Sequence, residues 1–139
     1  MTEPGTPRAS EAAPQAVAVG NPAVAVVLAW LIPGLGHVYL KRWMRGLFFL
    51  LLVLVSLAVG CMLEGNLYRV LPNQPLTILA TLGSMGMGLP YFFLRYFLHY
   101  EGNVVGAGFE YGTAFLLTAG LMNLLLVMDA WDIARGRKE

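Results

Sequence analysis

Long apolar stretches alternate with short polar segments along the chain. The apolar stretches are Pro22–Leu40, Gly46–Leu63, Leu76–Leu94 and Thr113–Met128. Each comes close to the roughly 20 residues that a helix needs to cross ~30 Å of hydrocarbon. Because backbone groups in lipid must be paired internally, this pattern predicts helices. We predict an all-α integral membrane protein, a four-helix transmembrane bundle built from residues 21–134.

The first apolar stretch contains a helix break. Asn21 followed by Pro22 is typical of a helix start. Pro33 removes a backbone donor and Gly34 allows dihedral angles closed to other residues, so the first helix must kink or end there. Two interpretations follow, a kinked full span or a half-helix that re-enters. The kinked span is favoured because residues 38–40 continue the apolar path.

Small or polar residues recur at every fourth position in the second and third spans. Such positions share one helix face, and small residues there let two backbones approach closely. In the fourth span, an amide inside hydrocarbon needs partners and should point inward. The predicted packing residues are Ser56 and Gly60 in the second span, Ala80, Ser84 and Gly88 in the third, and Asn123 in the fourth.

The two ends of the chain differ from its apolar centre. Residues 1–20 hold three prolines among small and polar residues, and such a segment has too little apolar surface to offset the entropy of ordering it. We therefore expect a disordered N-terminal tail at 1–20 and a basic C-terminal end at 135–139. Asp129 and Asp132 precede that end, and we interpret them as a helix end that emerges through the headgroups.

Composition and charge narrow the function classes. Hydrophobic residues make up 58% of the chain and charged residues 12%, about half the charged share of a soluble domain. The formal net charge of +1 gives no case for nucleic acid. We expect no metal or other cofactor, since no His or further Glu stands at metal-ligand spacing from the two aspartates. The sequence also holds no catalytic constellation, so we do not expect an enzyme.

One motif-like segment lies between the first two spans. Its residues are Pro33, Gly34, Gly36, His37, Tyr39 and Arg42, followed by Gly46 at the start of the next apolar run. This pattern resembles the hairpin signature of TM2-domain proteins and of small uncharacterised bacterial membrane proteins related to them. The resemblance covers under a third of the chain, about 21–63, and departs from the usual form at Lys41, where those families have Gly. The Asp-Arg-Phe triplet of the eukaryotic members is also absent.

The bacterial group is the more similar one, because its later half shares a Gly-rich loop and a last helix with Asn and Asp. The resemblance implies a multi-pass, four-helix protein of a bacterial cytoplasmic membrane, the cell inner membrane. It implies nothing about chemistry.

The motif offers two kinds of chemistry. The basic side chains of Lys41, Arg42 and Arg45 can meet anionic lipid headgroups at about 1 kcal/mol each. His37 is the group of the motif that can titrate near neutral pH. We expect it to hydrogen-bond a carbonyl freed by Pro33, with a proton-relay or ligand role as the alternative.

Two function classes remain. The first is a structural or interaction module that assembles with itself, with lipid or with another membrane protein. The second is a small transporter or channel subunit, which is disfavoured because proton coupling needs a carboxylate inside the bilayer and none lies mid-span.

Orientation is not fixed by charge. Four crossings would place five basic residues on one side and four on the other, so the count does not decide. The short, purely basic Lys41–Arg45 turn favours the cytoplasmic side, which would leave both chain ends outside.

Overall fold

The computed structural model describes residues 20–137, and within that range it is helical without strands. The predicted tail, apart from Gly20, and the last two residues lie outside the described residues. The helices are α1 (Pro22–Leu31), α2 (Leu35–Tyr39), α3 (Trp43–Met62), α4 (Pro75–Met85), α5 (Leu89–Phe92) and α6 (Phe109–Ala134); α5 continues as a π-helical turn over Phe93–Phe97.

Two long helices, α3 and α6, form the frame of the fold. They have 20 and 26 residues, and at 1.5 Å per residue they are about 30 and 39 Å long. They run antiparallel, since Gly60 near the end of α3 lies against Leu116 near the start of α6. Among the described residues, two helices are long and apolar enough to cross a membrane, or three spans if the bent pair of α4 and α5 is counted as one.

The start and end of α1 follow from local backbone chemistry. The Asn21 side chain accepts a hydrogen bond from the N–H of Ala23 at 3.0 Å, which pairs one of the free donors at the helix start. Ile32 then leaves the helix in an extended conformation (φ −129°, ψ 119°), as the proline at position 33 requires. The predicted cap and the predicted break are confirmed.

After the break, the chain folds back along α1. Gly34 has a φ of +83°, a left-handed conformation that favours glycine, and α2 begins directly after it. A Cβ atom at Gly36 would press on the Ala25 carbonyl and the Ala29 side chain, and Leu40 packs in the same cluster as these alanines. The favoured kinked span over Pro22–Leu40 is therefore wrong, because α1 and α2 form a hairpin of half that length.

A second hairpin forms where the third span was predicted. α4 runs parallel to α6, since Gly83 packs on Leu117 while Gly86 packs further along α6 on Leu124. The chain then bends by 115° into α5, and Gly88 at the bend has a φ of +72°. The third apolar stretch, predicted as one span over Leu76–Leu94, is thus two short helices.

The second hairpin returns to the end of α3. The Tyr91 hydroxyl donates to the Tyr68 carbonyl at 2.9 Å, and the Tyr100 hydroxyl donates to the Gly65 carbonyl at 3.0 Å. Both acceptors belong to the loop that follows α3. The second hairpin therefore opens at the N-terminal end of α6.

The first hairpin opens at the opposite end of α6. Its alanines pack with Ala130, Ile133 and Ala134 in the last turns of α6. The tips of the two hairpins meet between these ends, where Gly88 lies against the Trp30 carbonyl. The described residues thus form two long helices and two hairpins, in place of four continuous helices.

Candidate functional site

Asn123 on α6 is a fully buried polar residue. Its Nδ2 atom donates to the Gly86 carbonyl at 2.9 Å and to the Trp30 carbonyl at 3.3 Å. Trp30 lies at the end of α1, and Gly86 caps the end of α4. Carbonyls at a helix end have no donor within their own helix, and the Asn123 amide supplies one to both. Asn123 therefore joins both hairpin tips to α6.

A second polar contact joins the first hairpin to the other end of α6. The His37 side chain is fully buried on α2, and its Nε2 atom lies 3.0 Å from Oδ2 of Asp129. The Nδ1 atom of His37 has no partner among the described residues. The imidazole ring also packs on Phe49 of α3, with ring centroids 5.6 Å apart. The pair thus links α2, α3 and α6.

This pair corrects two expectations. His37 contacts a carboxylate 92 residues away in place of a carbonyl freed by Pro33. Asp129 does not mark a helix end, because α6 continues to Ala134, about 7.5 Å further at 1.5 Å per residue. The fourth span, predicted as Thr113–Met128, is accordingly part of a longer helix that begins at Phe109.

A groove runs along α6 beside this pair. It has a volume of about 480 Å³ and is lined by Phe49, Met122, Leu125, Leu126, Met128, Asp129 and Asp132. The side chain of Asp129 is 24% exposed and that of Asp132 is 34% exposed. Nη1 of Arg137 lies 3.8 Å from Oδ1 of Asp132, a separation that gives a weak ion pair. The groove therefore combines an apolar wall with two carboxylates at one end.

The glycines of the motif bring the first hairpin onto α3. The backbones of Gly34 and Gly46 touch, so that a Cβ atom at either residue would clash with the carbonyl oxygen of the other. Pro33 and Gly36 are buried, whereas Tyr39 is 43% exposed at the open end of the hairpin. Pro33, Gly34, Gly36 and Gly46 therefore serve to pack the first hairpin against its neighbouring helices.

The basic turn between α2 and α3 is exposed. Lys41 adopts a φ of +59°, and the N–H of Arg42 donates to the His37 carbonyl at 2.8 Å. The neighbouring Trp43 and Met44 are 73% and 80% exposed. A pocket of about 370 Å³ is lined by Lys41, Arg42, Trp43, Met44 and Arg45. This turn presents cations next to apolar side chains, an arrangement typical of a membrane interface.

The predicted packing rows hold only in part. Gly60 lies on Leu116 and on the Gly112 backbone, whereas Ser56 is half-buried. Ser84 is fully buried and Ala80 half-buried.

The third member of the predicted row in α4, Gly88, does not share a helix with the other two, because α4 ends at Met85. The close approach to α6 is made by Gly83 and Gly86, whose backbones contact Gly120.

The opposite end of the molecule is held by loop contacts. Glu64 accepts a hydrogen bond from Nδ2 of Asn103 at 2.8 Å. Burial, with smaller contributions from the nearby Cys61 and Glu64, raises the pKa of Tyr100 to about 12. The Tyr100 phenol therefore remains a neutral donor to the Gly65 carbonyl well above physiological pH.

Sequence reasoning missed Asp129 as a site residue. The sequence did offer a signal: His37 and Asp129 each lie beside long apolar stretches, where an ionisable side chain needs a polar partner. Spacing could not pair them, because 92 residues separate them. Within residues 20–137, no group of three or more His, Cys, Asp or Glu side chains is placed to hold a metal ion.

Comparison with known protein families identifies the family of the chain. Residues 24–139 match the model of a family described as a family of unknown function, DUF6677. No curated protein and no solved structure matches the chain. The match covers the fold except for the first two residues of α1, and it extends well beyond the segment that carries the hairpin motif.

Proposed function

The chain belongs to the DUF6677 family, and we propose that it is a multi-pass membrane interaction module. In this proposal α3 and α6 cross the bilayer, and the two hairpins re-enter from opposite sides. Irregular backbone at membrane depth is tolerated where it is buried in protein. The direct contact between Gly88 and Trp30 at the hairpin tips meets that condition, and it is the observation that carries the proposal.

With two crossings in place of four, the basic residues are divided differently between the two sides of the membrane. The open end of the first hairpin and the C-terminal end of α6 share one side. Within the described residues, its basic side chains are Lys41, Arg42, Arg45, Arg135 and Arg137. The other side carries Arg69 and Arg95, which line one pocket with Glu101. The positive-inside rule then places the basic turn and both ends of the described region in the cytoplasm. Both ends thus lie inside, whereas four crossings would leave them outside.

The basic turn is the surface through which we expect the module to bind lipid. Its three cations stand beside the exposed Trp43 and Met44, so anionic headgroups and the interfacial hydrocarbon can be contacted together. In keeping with the resemblance to small bacterial relatives of TM2-domain proteins, we place the protein in a bacterial cytoplasmic membrane.

Lipid binding can be tested in nanodiscs. The purified protein would be reconstituted with phosphatidylcholine and increasing phosphatidylglycerol, and retained lipid would be measured by native mass spectrometry. We expect phosphatidylglycerol retention to fall when Lys41, Arg42 and Arg45 are all replaced by Gln. The matched control replaces Arg69 and Arg95 by Gln and should change retention much less. Equal losses in both variants would contradict the proposal.

A second candidate function, a small proton-linked transporter, is favoured by one observation. A buried imidazole paired with a carboxylate lies between a broken helix and a spanning helix, and such groups in membranes often mark proton or ion paths. Proteoliposomes containing a pH-sensitive dye would separate the two functions. Proton flux that His37→Gln abolishes would favour transport, because an amide cannot titrate near neutral pH.

A further inference from the structure

The groove on α6 has the shape and polarity of a site for one amphiphile. Its lining runs from Met122 to Asp132, a distance of about 15 Å along the helix. The deeper part is apolar, and the two carboxylates lie toward the C-terminal end of α6. A ligand with an apolar tail and a cationic head matches this division.

The carboxylate end is preorganised by the rest of the fold. Oδ2 of Asp129 is held by Nε2 of His37, which is fully buried. Asp129 nevertheless lines the groove with 24% of its side chain exposed. One turn further, Oδ1 of Asp132 lies 3.8 Å from Nη1 of Arg137. Carboxylates beside hydrocarbon are stabilised by a cation that donates hydrogen bonds to them.

We propose that this groove binds a phospholipid with a primary ammonium headgroup, of the phosphatidylethanolamine class. The ammonium would donate to Asp129 and Asp132, and one acyl chain would lie against Phe49 and Leu125. A primary ammonium has three N–H donors, whereas the quaternary ammonium of phosphatidylcholine has none.

This site is separate from the basic turn, where anionic lipid is expected. It rests on the proposed membrane placement of α3 and α6, but it requires neither the basic turn nor a particular orientation. Failure of phosphatidylglycerol binding at the turn would therefore leave the groove proposal intact. Failure of the groove proposal would equally leave the turn unaffected.

The test is competition among lipids with identical acyl chains. The full-length protein would be equilibrated in nanodiscs containing equal amounts of phosphatidylethanolamine, phosphatidylcholine and phosphatidylglycerol, and lipid that survives release would be measured by native mass spectrometry. We expect phosphatidylethanolamine to be retained over phosphatidylcholine. Asp132→Asn should lower that retention roughly three- to tenfold. Glu110→Gln, which removes an exposed carboxylate at the other end of α6, is the matched control and should leave it unchanged.

A second pair of variants tests the apolar wall without changing charge. Leu125→Trp places a larger side chain in the groove and should reduce phosphatidylethanolamine retention. Phe115→Trp, at an exposed position of α6 outside the groove, should not. Equal retention of ethanolamine and choline lipids would overturn the proposal. Retention that neither Asp132→Asn nor Leu125→Trp lowers would also overturn it, since the lipid would then be held non-specifically and not in the groove.

Discussion

Two glycines decide the path of the chain at single positions. Gly34 and Gly88 both have positive φ values, and each touches a carbonyl of another helix. An alanine at either position meets backbone strain and a steric clash together. Each hairpin therefore depends on the absence of one Cβ atom.

Gly88→Ala should destabilise the protein by about 1–3 kcal/mol, the usual cost of overpacking, because its Cβ would meet the Trp30 carbonyl. Thermal unfolding in detergent measures the change. Gly106→Ala is the control, since Gly106 lies in a loop without a positive φ. Equal melting temperatures for Gly88→Ala and the parent would contradict the close approach of the hairpin tips.

His37→Leu should lower stability by about 1–3 kcal/mol, because it removes the contact between the buried imidazole and Oδ2 of Asp129. His37→Gln keeps a donor and should cost less. A double-mutant cycle with Asp129→Leu measures the coupling, and the double variant should be more stable than the sum of the single losses predicts. Strict additivity would mean that the 3.0 Å contact contributes nothing to folding.

Among the helices, α6 is the one that both hairpins pack against. The first hairpin contacts it through Asn123 and Asp129, and the second through Asn123 and the Gly120 backbone. Both α1 and α4 are short, with 10 and 11 residues. Helices of that length are marginal alone, so their stability depends on these attachments.

Asn123→Leu should loosen both hairpins together, because it removes the donor that the Trp30 and Gly86 carbonyls share. Hydrogen exchange should speed up in α1 and α4 more than in α3, with a global loss of about 1–3 kcal/mol. Thr118→Val, at an exposed position of the same helix, is the control and should change little. Faster exchange in only one hairpin would contradict a shared clamp.

For the whole molecule, the number of crossings is the property that most affects function. Two crossings place Met44 and Arg137 on the same side of the membrane, whereas four crossings place them on opposite sides. Both positions are exposed, so cysteines there can be labelled.

In a Cys61→Ser background, single cysteines at Met44 and Arg137 should both be protected from a membrane-impermeant reagent in intact cells. A cysteine at Val105, which is 94% exposed in the loop at the other end, should react. Labelling of only one of the first two positions would contradict two crossings.

The sequence by itself determined both ends of α1, because these ends depend on residues that are neighbours along the chain. Asn21 caps α1 and Pro33 ends it because both act through their own backbone neighbours. The inward direction of Asn123 also follows locally, since an amide in an apolar helix requires partners. The sequence pattern predicts too short a fourth helix, because two carboxylates at 129 and 132 are typical of a helix end unless the fold supplies them with partners.

Tertiary structure decided where the chain goes after each break. Pro33 and Gly88 permit either a kink or a reversal, and only the packing of Gly36 on Ala25 and of Gly88 on Trp30 selects reversal. The His37–Asp129 pair likewise depends on a contact across 92 residues. A backbone break is a property of neighbouring residues, whereas the direction beyond it and the partners of buried polar groups are set by distant surfaces.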